Sequence, residues 1–293
     1  MNSTVHALAT VPRTAVKRSP DVLPGFGLSL GYTIVYLSLI LFIPLAALGL
    51  KAIAGGWHGF EAVLTSPRVI ASLKLTFGSA AIAAAVNAMF GFLTAWVLVR
   101  YRFPGRRLLD AVVDLPFALP TAVSGIALTA IFSPDGTLGR FLSSIGWPVA
   151  YAPSGVTIAM VFIGLPFVVR TLQPALEELA SELTDAASSL GASPALVMWK
   201  VVLPLILPSL ITGFSLALAR GIGEYGSIVF ISGNLPFKTE ITSLLIITKL
   251  EEFDYHGAAV IAVVMLVASF LLLFGINLLQ RRALRWQARS TGP

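Results

Sequence analysis

Between residues 28 and 280 the chain passes through six apolar segments, near 28–50, 72–99, 112–132, 154–172, 206–231 and 257–280. A hydrocarbon core of about 30 Å takes about 20 such residues to cross as a helix. Inside it the backbone must satisfy its own hydrogen bonds, which leaves helices for segments of this kind. The chain is therefore predicted to be an all-α membrane protein with six transmembrane helices. Composition agrees: 12% of residues are charged and 56% hydrophobic, with a mean hydropathy of +0.87. A soluble domain carries about twice that charge, ~25%. Pro116 and Pro120 in the third segment and Pro166 in the fourth predict kinks, tolerable where neighbouring helices satisfy the freed carbonyls. With no repeat of 20–50 residues and no inverted repeat in view, residues 28–293 read as one transmembrane domain. Residues 1–27, polar and broken by prolines, are expected to be a disordered cytoplasmic tail.

Orientation follows from the distribution of Lys and Arg. One side holds Arg13, Lys17, Arg18, Arg100, Arg102, Arg106, Arg107, Arg170, Lys200, Arg281, Arg282, Arg285 and Arg289, thirteen of the 20. The other holds Lys51, Arg68, Lys74, Arg140, Lys238 and Lys249, and Arg220 lies within the fifth segment. The positive-inside rule puts both termini and the connection between the fourth and fifth segments in the cytoplasm. The net charge of +6 is explained by this placement, and no nucleic-acid partner is expected. On the opposite side, Pro134-Asp135-Gly136 predicts a turn, and Trp147 and Tyr151 suit a membrane interface. Ile241, Leu244, Leu245, Thr248 and Leu250 predict a short helix. The acidic cluster Glu251, Glu252 and Asp254 fits a solvated loop or a contact with an extracytoplasmic partner.

The cytoplasmic connection, about 175–203, keeps helical order although it is polar. Leu176, Leu179, Ala180, Leu183, Ala186, Ala187 and Leu190 recur at steps of three and four and so fall on one face. Gly191 supplies the left-handed position that ends a helix. Ser193-Pro194 reads as the N-cap and first residue of a second one, and Pro204 and Pro208 limit its continuation. Two short helices with a sharp bend between spans form a knob that can fit a groove on a soluble partner.

Catalytic chemistry has little to build on. There is no cysteine, no Gly-x-x-x-x-Gly-Lys-Ser/Thr loop for ATP and no His-Glu-x-x-His, and His6, His58 and His256 all lie outside the spans. The notable intramembrane charges are Arg220 and Glu224, one helical turn apart and able to pair. Such residues cost a few kcal/mol each in hydrocarbon unless paired or facing water. They read as either a neutralised pair holding helices together or the lining of a solute path or gate. Gly221, Gly223 and Gly226 around them allow a tight crossing. Asn87 and Asn277 are expected to make interhelical hydrogen bonds.

The run Asp185-Ala186-Ala187, three residues, then Gly191-Ala192, with Leu203-Pro204 twelve residues after Gly191, resembles the coupling motif of bacterial ABC importer permeases, Asp185 standing for the usual Glu. Leu37-Ser-Leu-Ile through Pro44-Leu-Ala-Ala, Asp114 through Pro120, Phe162 through Arg170 and Ala219 through Ser227 are similar to the sulfate, thiosulfate and molybdate branch, and most to its CysT type. The resemblance implies a type I (MetI-like) importer fold. It also implies that Asp185, Ala186, Ala187, Gly191, Ala192 and Pro204 couple the chain to an ATPase. A second permease of the CysW type, two ATPase subunits holding ATP and Mg²⁺, and a periplasmic sulfate/thiosulfate-binding protein would complete the assembly in the bacterial inner membrane. No cofactor is expected on this chain itself. Arg220 could attract an oxyanion, but Glu224 offsets its charge, so the anion is implied by the resemblance alone. Alternatives are a permease of the same family for molybdate or another oxyanion, and an ion-coupled secondary transporter using Glu224. An assembly subunit without a path is a third.

Overall fold

The computed structural model describes residues 25–179 and 181–290, and most of the expected tail, 1–27, lies outside them. The described residues are helical, without strands, and fall into two compact units, Met1–Ala47 and Leu48–Pro293. Helix α1 is Phe26–Ile53. The rest are α2 (Gly56–Leu64), α3 (Pro67–Arg100), α4 (Arg106–Val113), α5 (Leu115–Ala118), α6 (Thr121–Phe132) and α7 (Thr137–Ser144). There follow α8 (Pro153–Glu178), α9 (Ser181–Ser189), α10 (Pro194–Ile222), α11 (Ile228–Ser232), α12 (Thr242–Glu251) and α13 (Tyr255–Ser290).

Among the described residues, α1, α3, α8, α10 and α13 are long and apolar enough to cross a membrane, and α6 is a shorter apolar helix. The chain is a multi-pass membrane protein. The third predicted span, 112–132, is not one helix. Pro120 disfavours helical geometry in the residue before it, and Leu119 is extended at φ −88° and ψ 136°. A second break falls at Asp114, leaving α4, α5 and α6 as successive pieces.

The fifth predicted span, 206–231, also differs. α10 begins earlier, at Pro194, and ends at Ile222, and an irregular stretch over 223–227 separates it from α11. The long helix survives Pro204 because residues 198–202 form a single wide turn, closed by the Leu203 N–H on the Met198 carbonyl. A proline ring clashes with the carbonyl four residues back, and one extra residue in the turn moves that carbonyl aside. α1 uses the same device: residues 38–42 form a wide turn two residues before Pro44.

The core of the second unit is the packing of α3, α8 and α10 on one another. Ala80, Ala83, Ala84 and Leu98 of α3, Val156, Met160, Val168 and Leu172 of α8, and Ile206, Ala217 and Leu218 of α10 are all buried in it. Helices in lipid gain little from hydrophobic burial against one another and depend on close backbone approach. Gly91 and Gly213 supply it on the two sides of Val168. A Cβ at Gly91 would lie 2.8 Å from Val168 Cγ1, and one at Gly213 would lie 3.1 Å from Val168 Cα.

The connections carry their own ties. Glu240, buried before α12, accepts from Arg68 Nε at 2.8 Å and Nη2 at 2.7 Å, a bidentate pair joining the start of α3 to the 233–241 loop. Beside it the Thr242 N–H donates to Thr76 Oγ1 at 2.8 Å. The short helix expected at 241–250 is α12. Beyond it, Asp254 accepts from the Gly257 N–H at 2.8 Å and pairs with Lys249 at 3.2 Å. The Gly257 bond, with Lys249 adding to it, outweighs burial and holds the Asp254 carboxyl below the usual carboxylate range. A depressed folded pKa gives stability that is present above the unfolded value, about 3.9, and lost as pH falls through the folded one. Asp254→Asn is therefore expected to lower the melting temperature in detergent at pH 7, with the gap from the parent protein narrowing as the pH falls below the unfolded carboxylate value.

Candidate functional site

The knob is built by capping. α8 ends at Glu178, Leu179 turns extended, and α9 starts afresh at Ser181. At the far end the Ala192 N–H bonds to the Ala187 carbonyl at 3.1 Å and the Gly191 N–H to the Ser188 carbonyl at 2.9 Å. These are the two bonds of a Schellman cap, with Gly191 left-handed at φ +83°. Ala187 and Ala192, the apolar pair that accompanies such a cap, both pack on the core. Ser193 caps α10, accepting from the Leu196 N–H at 3.3 Å.

Asp185, Ala186, Gly191 and Pro204 are exposed. The predicted continuous apolar face is not present. Leu176 and Leu179 are buried, but the break after Leu179 re-aims α9, so that Leu183 is exposed and Leu190 is 88% exposed, with Trp199 70% exposed beyond the bend. The knob therefore presents Leu190 and Trp199 outward, and Asp185 is exposed as well. Expected to be one of two short helices, its second half is instead the first turns of α10, so the knob is continuous with a core helix.

Arg220 and Glu224 form the expected ion pair. Glu224 is only 1% exposed, and its carboxylate is fully engaged: Oε2 faces Arg220, and Oε1 accepts from the Ser227 N–H at 2.9 Å and from Ser227 Oγ at 3.0 Å. Its backbone carbonyl accepts from Ser243 Oγ of α12 at 2.7 Å. Glu224 thus fastens the end of α10, the 223–227 stretch and α12 together. The Arg220 side chain is 31% exposed, so guanidinium donors not spent on Glu224 remain available.

α6 approaches this stretch closely. A Cβ on Gly125 would lie 2.8 Å from Ser227 Cα and 2.9 Å from its carbonyl carbon. Backbone cannot swing aside as a side chain can, so Gly125→Ala is expected to cost about 1–3 kcal/mol through overpacking. A fall in melting temperature would register it, and an unchanged value would show that α6 moves freely.

Sequence reasoning missed two clamps. Arg170 of α8 donates to Asp110 Oδ1 at 2.7 Å, to Asp114 and to Gln173 Oε1 at 2.6 Å, fixing α4 and α5 against α8. Gln280 of α13 donates to Thr212 Oγ1 at 2.7 Å and to the Pro208 carbonyl at 3.2 Å, bracing α10 at its internal proline. Asn87 and Asn277 do not do what was expected of them. Asn87 is buried beside Gly164 with no hydrogen-bond partner among the described residues, and Asn277 is exposed. Among the described residues no group of acidic or imidazole side chains could hold a metal.

Comparison with known proteins adds the following. The family described as binding-protein-dependent transport system inner membrane component matches residues 87–285. The sulfate transport system permease protein CysT of Salmonella typhimurium is 51% identical over 264 residues, covering 90% of this chain and 95% of that one. The protein of the same name from Escherichia coli K12 is 50% identical over the same shares. Among solved structures, a bacterial alginate ABC transporter in complex with a pentasaccharide-bound periplasmic protein is similar in fold. Its TM-score is 0.72 at 19% identity, over 87% of this chain and 93% of that one.

Proposed function

The chain belongs to the family of binding-protein-dependent transport system inner membrane components, and on that premise we propose that it is a permease subunit of an ATP-driven sulfate importer. The observation that carries the anion is the identity of about half of all positions, over 90% of the chain, to a sulfate transport system permease. Thiosulfate, an oxyanion of the same charge, is included in the proposal. The chain is not itself an enzyme, and ATP and Mg²⁺ belong to a separate ATPase. In the proposed assembly, two ATPase subunits lie at the cytoplasmic face of a bacterial inner membrane. A CysW-type permease forms the other half of the path, and a periplasmic protein delivers the anion.

The geometry supports coupling by alternating access. Closure of the ATPase pair on nucleotide would press on the exposed residues of the knob, Asp185, Leu190 and Trp199. The Schellman cap and the Ala187 and Ala192 contacts pass that displacement to α8 and α10 rather than into loop bending. α10, 29 residues long, carries it to the Arg220–Glu224 end, where the 223–227 stretch can re-form between two arrangements. In this reading Arg220 faces the path with its remaining donors, while Glu224 holds it in place and offsets its pull on an anion. Weak binding at that point lets the anion leave again, with selectivity residing in the delivering protein. Use of Glu224 as a proton-coupling carboxylate is disfavoured, since both its oxygens are already engaged by three donors.

Growth tests the substrate. A bacterium stripped of its own sulfate permeases and supplied with this chain and its three partners is expected to grow on sulfate, and on thiosulfate, as sole sulfur source. Growth on cysteine but on neither sulfate nor thiosulfate, with the complex present in the membrane, would overturn the proposal.

A further inference from the structure

Where α3 leaves the apolar stretch, Arg102-Phe103-Pro104-Gly105-Arg106-Arg107 turns the chain back toward α6. Gly105 takes φ +88°, a conformation open to glycine at little cost. The turn so formed gathers Arg102, Phe103, Arg106 and Arg107 around an open groove of about 360 Å³. None of the three arginines has an ion-pair partner among the described residues. The carboxylates that follow in sequence, Asp110 and Asp114, are both taken by Arg170.

α4 continues from the groove with two unlike faces. Asp110 and Val113 turn inward, to Arg170 and to the core. Arg107, Leu108 and Val112 turn outward, Leu108 being 70% and Val112 47% exposed, with Leu115 and Phe117 exposed farther along. Along this outer surface the charges come first and the apolar side chains follow in the direction of α6. That is the order of polarity met on passing from lipid phosphates to acyl chains. The Arg170 clamp on Asp110 and Asp114 holds α4 at a fixed depth.

We infer that this groove binds the headgroup of an anionic phospholipid. The guanidiniums of Arg102, Arg106 and Arg107 engage the phosphate and its ester oxygens, for which their planar fork of donors is suited. Leu108 and Val112 meet the first acyl carbons. A free anion would have no use for the two apolar side chains, and an acidic protein surface would leave them facing carboxylates. Each basic residue at a negatively charged leaflet is worth about fivefold in partition, so the three together give strong selection for anionic over zwitterionic lipid, weakened by salt.

The test places the full chain in vesicles of equal parts phosphatidylglycerol and phosphatidylcholine, extracts it in mild detergent, and measures retained lipid by native mass spectrometry. Phosphatidylglycerol is expected to be enriched on the parent chain and on R102K/R106K/R107K, which keeps the charges. It is expected to fall back toward the vesicle ratio on R102Q/R106Q/R107Q, while R140Q, in α7, leaves the enrichment unchanged. An unchanged ratio in the glutamine variant would overturn the inference. In a second preparation, with the ATPase subunit expressed alongside, a glutamine variant that keeps its lipid but loses the co-purified ATPase would also overturn it and make the groove a protein-docking surface. Inorganic phosphate that displaced the lipid at millimolar concentration would also overturn it, by reducing the groove to a general anion site.

Discussion

Gly191→Val is expected to abolish most ATP-driven uptake while leaving the protein inserted in the membrane. Gly191 sits at φ +83°, and a Cβ built there would meet no atom within 4 Å. Steric crowding by neighbours is therefore not the issue, and the whole penalty is in the backbone. A strained left-handed residue costs about 1–3 kcal/mol, with β-branched side chains at the upper end. The least costly escape is to give up the Schellman bonds from Gly191 and Ala192. That would free Ala187 and Ala192 from the core and turn Leu190 away from its present direction. Since 1.4 kcal/mol is a factor of ten, a loss of about tenfold or more in uptake and in retention of the ATPase subunit is expected. Gly191→Asn gives the control, because asparagine tolerates the left-handed region and should keep most of the activity. Normal uptake by the valine variant would remove the knob from the coupling path.

The second large effect concerns the buried pair. Arg220→Ala leaves the Glu224 carboxylate, 1% exposed, without its cation. Stranding one member of a buried pair costs about 3–5 kcal/mol, with the lower end expected here because the Arg220 side chain is 31% exposed. Combining Arg220→Ala with Glu224→Gln removes the charge and keeps an oxygen for the Ser227 N–H, so thermal stability should largely return. Transport then separates the two roles. A stable double variant that transports normally would make the pair a structural tie alone. One that is stable but transports poorly would give the Arg220 guanidinium a part in the path. Equal loss of stability in the single and double variants would contradict the pairing argument.

How much of this could be read from the sequence depends on the range of the interaction. The Gly191 cap, the Ser193 N-cap and the Arg220–Glu224 pair are encoded within about one helical turn and are legible, while the apolar runs are legible as spans except where the backbone breaks at Asp114, Leu119 and 223–227. Arg68 and Glu240 are 172 positions apart, and Arg170 lies 56 from Asp114 and 60 from Asp110. No periodicity or spacing links such residues before the helices are placed. The outward turn of Leu183 and Leu190 was misread for a related reason. Their spacing continues that of Leu176 and Leu179, and only the extended backbone at Leu179 breaks the face. Asn87 departs in the opposite direction, since a polar residue in a span implies a partner and none is found for it among the described residues.

This chain is expected to move its anion only when a partner ATPase drives it. Uptake of labelled sulfate would be measured in proteoliposomes holding this chain, the second permease, the ATPase and the binding protein, with ATP present at the ATPase face or with an ion gradient alone. Uptake is expected with ATP, with competition by thiosulfate, and none with the gradient alone or without the ATPase. Gradient-driven uptake by this chain on its own would contradict it and make Glu224 a coupling carboxylate after all.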